Sequence, residues 1–165
     1  MTVVITFLFS IFFCINVFAA DYVDINMSTN SFKSYMSYTL FKKPKSPQYR
    51  LQQISITDGD GFRKCAERYV IAVGSGVGGQ VGDCVDLILQ NGNVICCVIG
   101  DYKADRHTDS VNLTGKNGCA AEFIIDNSKL RRDIKLRGNV GCGYPGWDSP
   151  VLTIRRYNIN LLGGM

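Results

Sequence analysis

Two apolar runs in this chain each end in a carboxylate. The first, residues 94–101, reads Val-Ile-Cys-Cys-Val-Ile-Gly-Asp, and the second, residues 120–126, reads Ala-Ala-Glu-Phe-Ile-Ile-Asp. Runs of this length and composition predict buried β-strands. A small β-barrel can bring such acids together at one end, where partial burial raises the pKa of a carboxyl group and makes general acid catalysis possible near neutral pH. Two carboxylates in one cleft are typical of sugar chemistry.

Other segments also have the composition of short strands: residues 68–73, 81–90 and 151–157. Asn91-Gly92 favours a tight hairpin between the strand at 81–90 and the run that starts at Val94. The order of these segments predicts a mostly-β fold, a small barrel with little helix.

One short helix is predicted between the second apolar run and the closing strand. Asn127 or Ser128 can cap its start, and Gly138 ends it. The glycine-rich segment 74–79 lacks the Lys-Ser or Lys-Thr of a phosphate-binding loop, so we interpret it as a turn. The polar segment 102–118 is the loop that we expect to hold function.

The N-terminal residues predict export. Residues 3–18 are nearly all apolar and are followed by Ala19-Ala20, which is typical of a signal peptide spanning residues 1–19. The segment lacks a basic start, so an uncleaved membrane anchor is the alternative. Residues 20–57, rich in Ser, Lys and Tyr, predict an extended arm, and residues 58–165 a single domain. The protein is therefore expected to be secreted, outside the cell or associated with its wall.

Charge narrows the range of partners. The chain has 18 Lys and Arg residues against 14 Asp and Glu, a formal net charge of +4. Residues 1–20 carry no charged side chain, so the whole excess belongs to the remaining chain. A mildly basic exported domain suits an anionic surface such as a bacterial wall. The basic residues are scattered without an aromatic stripe, which argues against nucleic acid.

Six cysteines follow the signal segment, at positions 65, 84, 96, 97, 119 and 142. An even number in an exported chain predicts at least one disulfide. Cys96 and Cys97 are neighbours in one strand and should point to opposite faces. A zinc site is disfavoured because there is no C-x-x-C motif and His107 is the only histidine, so we expect neither metal nor other cofactor.

The residues from about Tyr69 to Tyr157 resemble a known family. The likeness lies in segments 68–75 and 89–95, and most specifically in 100–109, Gly-Asp-Tyr-Lys-Ala-Asp-Arg-His-Thr-Asp, followed by 122–126. These segments are similar to the double-psi β-barrel of rare lipoprotein A, the expansins and the three-aspartate domains, especially a secreted clostridial-type branch. The resemblance implies a six-stranded double-psi β-barrel.

In that family, the aspartate that opens the loop after a barrel strand and an acid in the next strand line the glycan cleft. Asp101 matches the first acid. Glu122 stands where the three-aspartate domains have Asp, and Asp126 with Ser128 matches the Asp-x-Ser spacing of rare lipoprotein A. This chain departs from the pattern by inserting residues 107–119 and by lacking the Asp-x-Gly turn after the first acid.

The resemblance implies peptidoglycan lytic transglycosylase chemistry. One carboxylic acid protonates the glycosidic oxygen, and the 6-hydroxyl of the sugar attacks to give a 1,6-anhydro product. The substrate would be peptidoglycan or another cell-wall glycan, and the protein a monomer. We predict Asp101 and Glu122 as the catalytic residues, with either as the proton donor. The predicted substrate-binding residues are Lys103, Asp105, His107 and Asp126.

A second interpretation gives these acids structural roles. Asp101 would cap a turn, Asp126 would cap the helix, and Glu122 would pair with Lys103 or an arginine. The protein would then be a non-catalytic, expansin-like barrel that binds glycan or braces a surface assembly. Such a binder needs an exposed aromatic platform, which Tyr144 and Trp147 could supply.

Overall fold

The computed structural model describes residues 21–163. Within this range the strands are β1 (Tyr22–Asn26), β2 (Ser34–Ser37), β3 (Ile56–Thr57), β4 (Arg63–Cys65), β5 (Arg68–Gly74), β6 (Asp83–Leu89), β7 (Val94–Lys103), β8 (Ala121–Ile125) and β9 (Val151–Asn160). The α-helices are α1 (Pro47–Ile54) and α2 (Arg132–Arg137), and short 3-10 turns occupy Tyr38–Leu40, Ser75–Val77, Asp105–His107 and Val140–Gly143. The predicted mostly-β character is confirmed.

All the strands belong to one sheet. Its path runs β1-β9-β6-β7-β5. The other edge of β5 has two neighbours. Strand β4 pairs with the first residues of β5 and is followed by β3, and β8 pairs with the last residues of β5 and is followed by β2. The pairs β5–β7 and β2–β8 are parallel, and the other pairs are antiparallel. Strand β5 therefore lies at the branch point of the sheet.

The Asn91-Gly92 hairpin is confirmed between β6 and β7. Gly92 has a φ of +86°, a left-handed conformation that glycine adopts without steric cost. Gly138 ends α2 as predicted, with a φ of +64°. The helix begins later than Asn127 or Ser128, because residues 126–130 form a turn and the Arg131 N–H donates to the Asp60 carbonyl at 3.2 Å.

Residues 21–57 are more structured than the predicted extended arm. Strand β1 pairs with β9 at one end of the sheet, and β2 pairs with β8 at the other. A second helix, α1, begins after Ser46, whose hydroxyl accepts the Tyr49 N–H at 3.2 Å. The arm therefore supplies strands at two edges of the sheet and a helix beside it.

Buried apolar side chains form a core on each face of the sheet. Ile71, Ile99 and Phe123 belong to the main core. Their neighbours in sequence face the other way, because side chains alternate along a strand. That other face carries the second core, which consists of Leu51, Cys65, Val70, Val81, Val98, Ile124 and Leu162. Leu51 of α1 is fully buried there, so α1 covers part of this face.

The six cysteines in residues 21–163 are all free, so the predicted disulfide is not formed in this structure. Cys96 is exposed and Cys97 is fully buried, which confirms that the two neighbours face opposite sides of β7. The predicted signal segment lies outside the described residues. No helix within residues 21–163 is both long enough and apolar enough to span a membrane.

Candidate functional site

A β-bulge in β7 determines where Asp101 points. Ile99 pairs with Ile71 on β5, but the next pair joins Asp101 to Ala72, so Gly100 is the extra residue. In a regular strand, Asp101 would lie on the same face as Ile99 and enter the main core. The bulge moves it to the opposite face, the one that carries Val70 and the second core.

Glycine is required at the bulge because the backbone packs closely against its neighbours. A methyl group at position 100 would lie 2.3 Å from Val70 Cγ1 and 2.9 Å from Ile124 Cδ1. Both side chains belong to the closely packed second core, so the added methyl group would force a shift within that core. The second core therefore fixes the bulge, and the bulge fixes the direction of Asp101.

The two predicted catalytic acids flank one alanine. Ala72 of β5 pairs with Asp101 on β7 and with Glu122 on β8. Paired residues on neighbouring strands share a face, so both carboxylates lie on the side of the Ala72 methyl group. Since adjacent strands are about 4.8 Å apart, the two backbones are roughly 10 Å apart with only a methyl group between them. This arrangement leaves a gap into which a substrate can fit.

Lys103 lies at the back of this gap. Its side chain is 4% exposed, and its ammonium group lies 3.8 Å from Glu122 Oε1. Lys103 Nζ also donates to the Cys119 carbonyl at 3.1 Å. The ammonium group is therefore held in place and faces the carboxylate of Glu122.

Asp101 has a hydrogen-bond partner that sequence reasoning did not find. Gln48 of α1 donates from Nε2 to Asp101 Oδ1 at 3.2 Å. The other oxygen, Oδ2, has no hydrogen-bond or ion-pair partner among the described residues. Nothing in the sequence around Gln48 marks it, because its proximity to Asp101 depends on how α1 packs against the sheet.

The polar loop 104–118 forms the other wall. The Gly76 N–H donates to the Asn112 carbonyl at 2.8 Å, and a methyl group at Gly74 would lie 2.1 Å from that same oxygen. The Ser75 hydroxyl donates to Asp105 Oδ1 at 2.7 Å. The glycine-rich segment is therefore a turn, as predicted, and its lack of side chains lets the loop pack against it.

Sheet and loop enclose an open cleft of about 580 Å³. Its lining residues are Met36, Ala72, Asp101, Tyr102, Lys103, Ala104, His107, Gly115, Lys116, Asn117 and Glu122. Burial raises the pKa of the Tyr102 phenol, with a further contribution from the Asp83 carboxylate. The Tyr102 hydroxyl donates to the Gly78 carbonyl at 3.2 Å, so it anchors this wall as a neutral group.

Four of the six predicted site residues line this cleft: Asp101, Lys103, His107 and Glu122. Asp105 lies at the base of the loop, where it accepts the Ser75 hydrogen bond. Asp126 lies outside the cleft lining, and its Oδ1 accepts from the Ser128 hydroxyl at 2.6 Å and the Ser128 N–H at 2.9 Å. The hydrogen bond from the Ser128 side chain lowers the pKa of Asp126.

Lys116 and Asn117 also line the cleft and were not singled out from the sequence. Both belong to the loop 102–118 that was expected to hold function. Their positions in a polar loop are not periodic, so no pattern distinguishes them from the solvated residues around them.

Tyr144 and Trp147 do not form a free platform. Their ring centroids are 4.6 Å apart, and both rings are partly buried against the main core. The Tyr144 hydroxyl donates to Asp60 Oδ2 at 2.5 Å. Trp147 stacks on Phe123, with 5.6 Å between ring centroids. These aromatic side chains pack with the interior.

No cluster of three or more His, Cys, Asp or Glu side chains suited to a metal ion occurs in the described part of the chain. Comparison with known proteins gives no match to a family model, a curated protein or a solved structure.

Proposed function

We propose that this protein binds a glycan strand in the gap between Asp101 and Glu122 and cleaves it, in the manner of a peptidoglycan lytic transglycosylase. The observation that carries the proposal is the placement of both carboxylates beside Ala72, on the floor of an open cleft. Two acids on either side of a gap can act on opposite sides of a glycosidic bond. A wall glycan as substrate goes with the proposal that the protein is secreted, as its N-terminal sequence suggests.

We also propose that the sheet is a double-psi β-barrel related to rare lipoprotein A. The parallel pairs β5–β7 and β2–β8 within a mainly antiparallel sheet support this proposal. The path of residues 22–37 also supports it, because this segment passes directly from β1 at one edge of the sheet to β2 at the other. A sheet whose two edges are joined by a short connection is expected to curl towards closure.

The contacts of the two acids suggest different roles. Glu122 lies 3.8 Å from the Lys103 ammonium group, and its carboxylate would lie where positive charge develops on the sugar. Asp101 accepts from Gln48 through Oδ1, which leaves Oδ2 to carry a proton to the glycosidic oxygen. The sugar's 6-hydroxyl would then attack the anomeric carbon and release its proton to Glu122.

The experiment compares matched carboxylate-to-amide variants on purified wall glycan. Asp101→Asn and Glu122→Gln should each lower formation of 1,6-anhydro product by at least about a hundredfold, because general acid or base catalysis contributes that much. Asp148→Asn and Glu67→Gln make the same chemical changes at exposed residues outside the cleft lining and should keep wild-type rates. Product formation by Asp101→Asn at the wild-type rate would contradict the assignment.

A non-catalytic glycan-binding protein is the second candidate. Gln48 holds the Asp101 carboxyl group and Lys103 lies beside that of Glu122, and two carboxyl groups fixed in a cleft in this way can bind sugar hydroxyls without any reaction. The same assay separates the two functions. Wall binding by the wild type without anhydro product at any pH would favour the binding protein.

A further inference from the structure

We infer that the glycan bound in this cleft carries an anionic substituent, and that its negative group lies against Lys103, Lys116 and Asn117. This inference rests on the proposed glycan cleft and names the chemistry of its ligand. It follows from the mixture of charges that lines the cleft. Asp101, Glu122 and Lys103 project from the sheet, and Lys116 and Asn117 of the loop line the same cleft.

The buried ammonium group of Lys103 has unused hydrogen-bonding capacity. An ammonium group has three N–H donors. One donates to the Cys119 carbonyl at 3.1 Å, and the nearest carboxylate oxygen, on Glu122, is 3.8 Å away, which is too far for a hydrogen bond. A side chain only 4% exposed that lines the cleft can use its remaining donors on a ligand there.

Gly115 of the loop lies close to the Lys103 ammonium group in the cleft lining. A methyl group at that position would lie 3.3 Å from Lys103 Nζ and 2.8 Å from Asn117 Oδ1. The same Asn117 oxygen accepts the Cys119 N–H at 3.1 Å, which fixes the amide so that its NH2 group remains a donor. Lys116 lies between these two residues in the chain and is exposed in the cleft wall.

The positive charge continues beyond the cleft onto the segment that carries Gln48. Four basic side chains of this segment are exposed: Lys42, Lys43, Lys45 and Arg50. No ion pair in residues 21–163 involves any of them. Because Gln48 contacts Asp101, this segment borders the cleft and would meet the parts of an anionic polymer that extend out of it.

Carboxylate and phosphate groups both satisfy these donors, so the test uses three oligosaccharides of equal length. One is neutral, one carries carboxylates and one carries phosphates. Affinity is measured calorimetrically with wild-type protein at low and at moderate salt. We expect one of the anionic sugars to bind at least about tenfold more tightly than the neutral one, since a hydrogen bond to a charged group is worth about 1.5 kcal/mol or more. Added salt should reduce this preference.

Lys116→Gln is the informative variant because its side chain is exposed and the fold does not depend on it. It should lower affinity for the preferred anionic sugar several-fold and leave affinity for the neutral sugar unchanged. Lys135→Gln, an exposed lysine on α2 outside the cleft lining, is the control and should change neither.

Equal affinity for the neutral and anionic sugars, no binding of any of them, or identical behaviour of Lys116→Gln and Lys135→Gln would overturn the inference. These measurements do not depend on turnover. If the protein prefers an anionic sugar but cleaves none, the proposed enzyme activity is wrong and the anionic ligand is supported. If it cleaves glycan but binds neutral and anionic sugars equally well, the enzyme activity is supported and the anionic ligand is wrong.

Discussion

Lys33 is buried in the protein interior, although lysine side chains are almost always exposed. Its side chain is among the largest that are fully buried, at 1% exposed. Lys33 Nζ donates to the carbonyls of Trp147 at 2.7 Å, Ser149 at 2.8 Å and Ser31 at 3.2 Å. Burial lowers the pKa of this amine. With these donor bonds, Lys33 ties the start of β2 to the segment that leads into β9.

Replacing Lys33 with methionine should therefore destabilise the protein. The variant keeps the length of the side chain but leaves three carbonyl groups without their donor. We expect the free energy of unfolding to fall by about 3 kcal/mol, since each buried acceptor left unpaired costs roughly 1–3 kcal/mol and burying a lysine has a cost that the variant avoids. Urea denaturation measures this change. Lys135→Met on the surface of α2 is the control, expected within about 0.5 kcal/mol of wild type.

At the scale of the element, the alternation of side chains along a strand does not predict the bulge in β7. A period of two residues places Asp101 on the face of Ile99, inside the main core. The extra residue at Gly100 reverses that direction. The sequence contains a hint, because a glycine inside a strand often marks a bulge or a close backbone approach. Which of the two occurs depends on Val70 and Ile124, and those neighbours come from other strands.

Gly100→Ala tests whether the bulge positions Asp101. The added methyl group would overlap Val70, so we expect a loss of about 1–3 kcal/mol in the free energy of unfolding together with reduced glycan cleavage. Gly59→Ala is the matched control, because a methyl group there meets nothing within 4 Å. If the two variants have equal stability and equal activity, the close packing described for Gly100 is wrong.

At the scale of the whole molecule, local features were predictable and distant pairings were not. The hairpin at Asn91-Gly92 and the helix end at Gly138 depend on backbone conformations that their own residues determine. The ends of the two apolar runs predicted that Asp101 and Asp126 would lie together, which is wrong for Asp126 because it lies outside the cleft lining. Glu122, which does line the cleft, was predicted only through the family resemblance. The pairing of β2 with β8 and the burial of Lys33 depend on segments far away in the chain, and no local pattern encodes them.

The buried thiols predict how the stability of the whole protein depends on pH. Burial raises the pKa of Cys65, Cys84 and Cys97 above the ordinary value of 9.0, so the native state keeps protons that the unfolded state has lost. Stability contributed by these thiols is fully present below pH 9 and falls as the pH rises further. Lys33, whose pKa is lowered by burial, acts in the opposite direction, but it is one group against these three thiols and that of Cys96, whose pKa is raised by burial as well.

Urea denaturation in reducing buffer at pH 7, 8, 9 and 10 measures this dependence. We expect the free energy of unfolding to decrease above pH 9, with a slope of up to about 1.4 kcal/mol per pH unit for each fully protected thiol. Cys97→Ala should show a shallower decrease than the wild type, and Cys142→Ala, which removes an exposed thiol, should not. A stability that stays constant from pH 8 to pH 10 would contradict this explanation.

The pairing of β1 with β9 has a consequence for biosynthesis. Tyr22 pairs with Tyr157, so nearly all of the described chain must be synthesised after β1 before its partner β9 is present. Strand β6 waits as well, because β9 also pairs along its length. The sheet can therefore be completed only once β9 has been made, and pairings so distant in sequence form slowly. During that interval Tyr22 and Val23 lie on an unpaired strand, whose free backbone groups can pair with another chain.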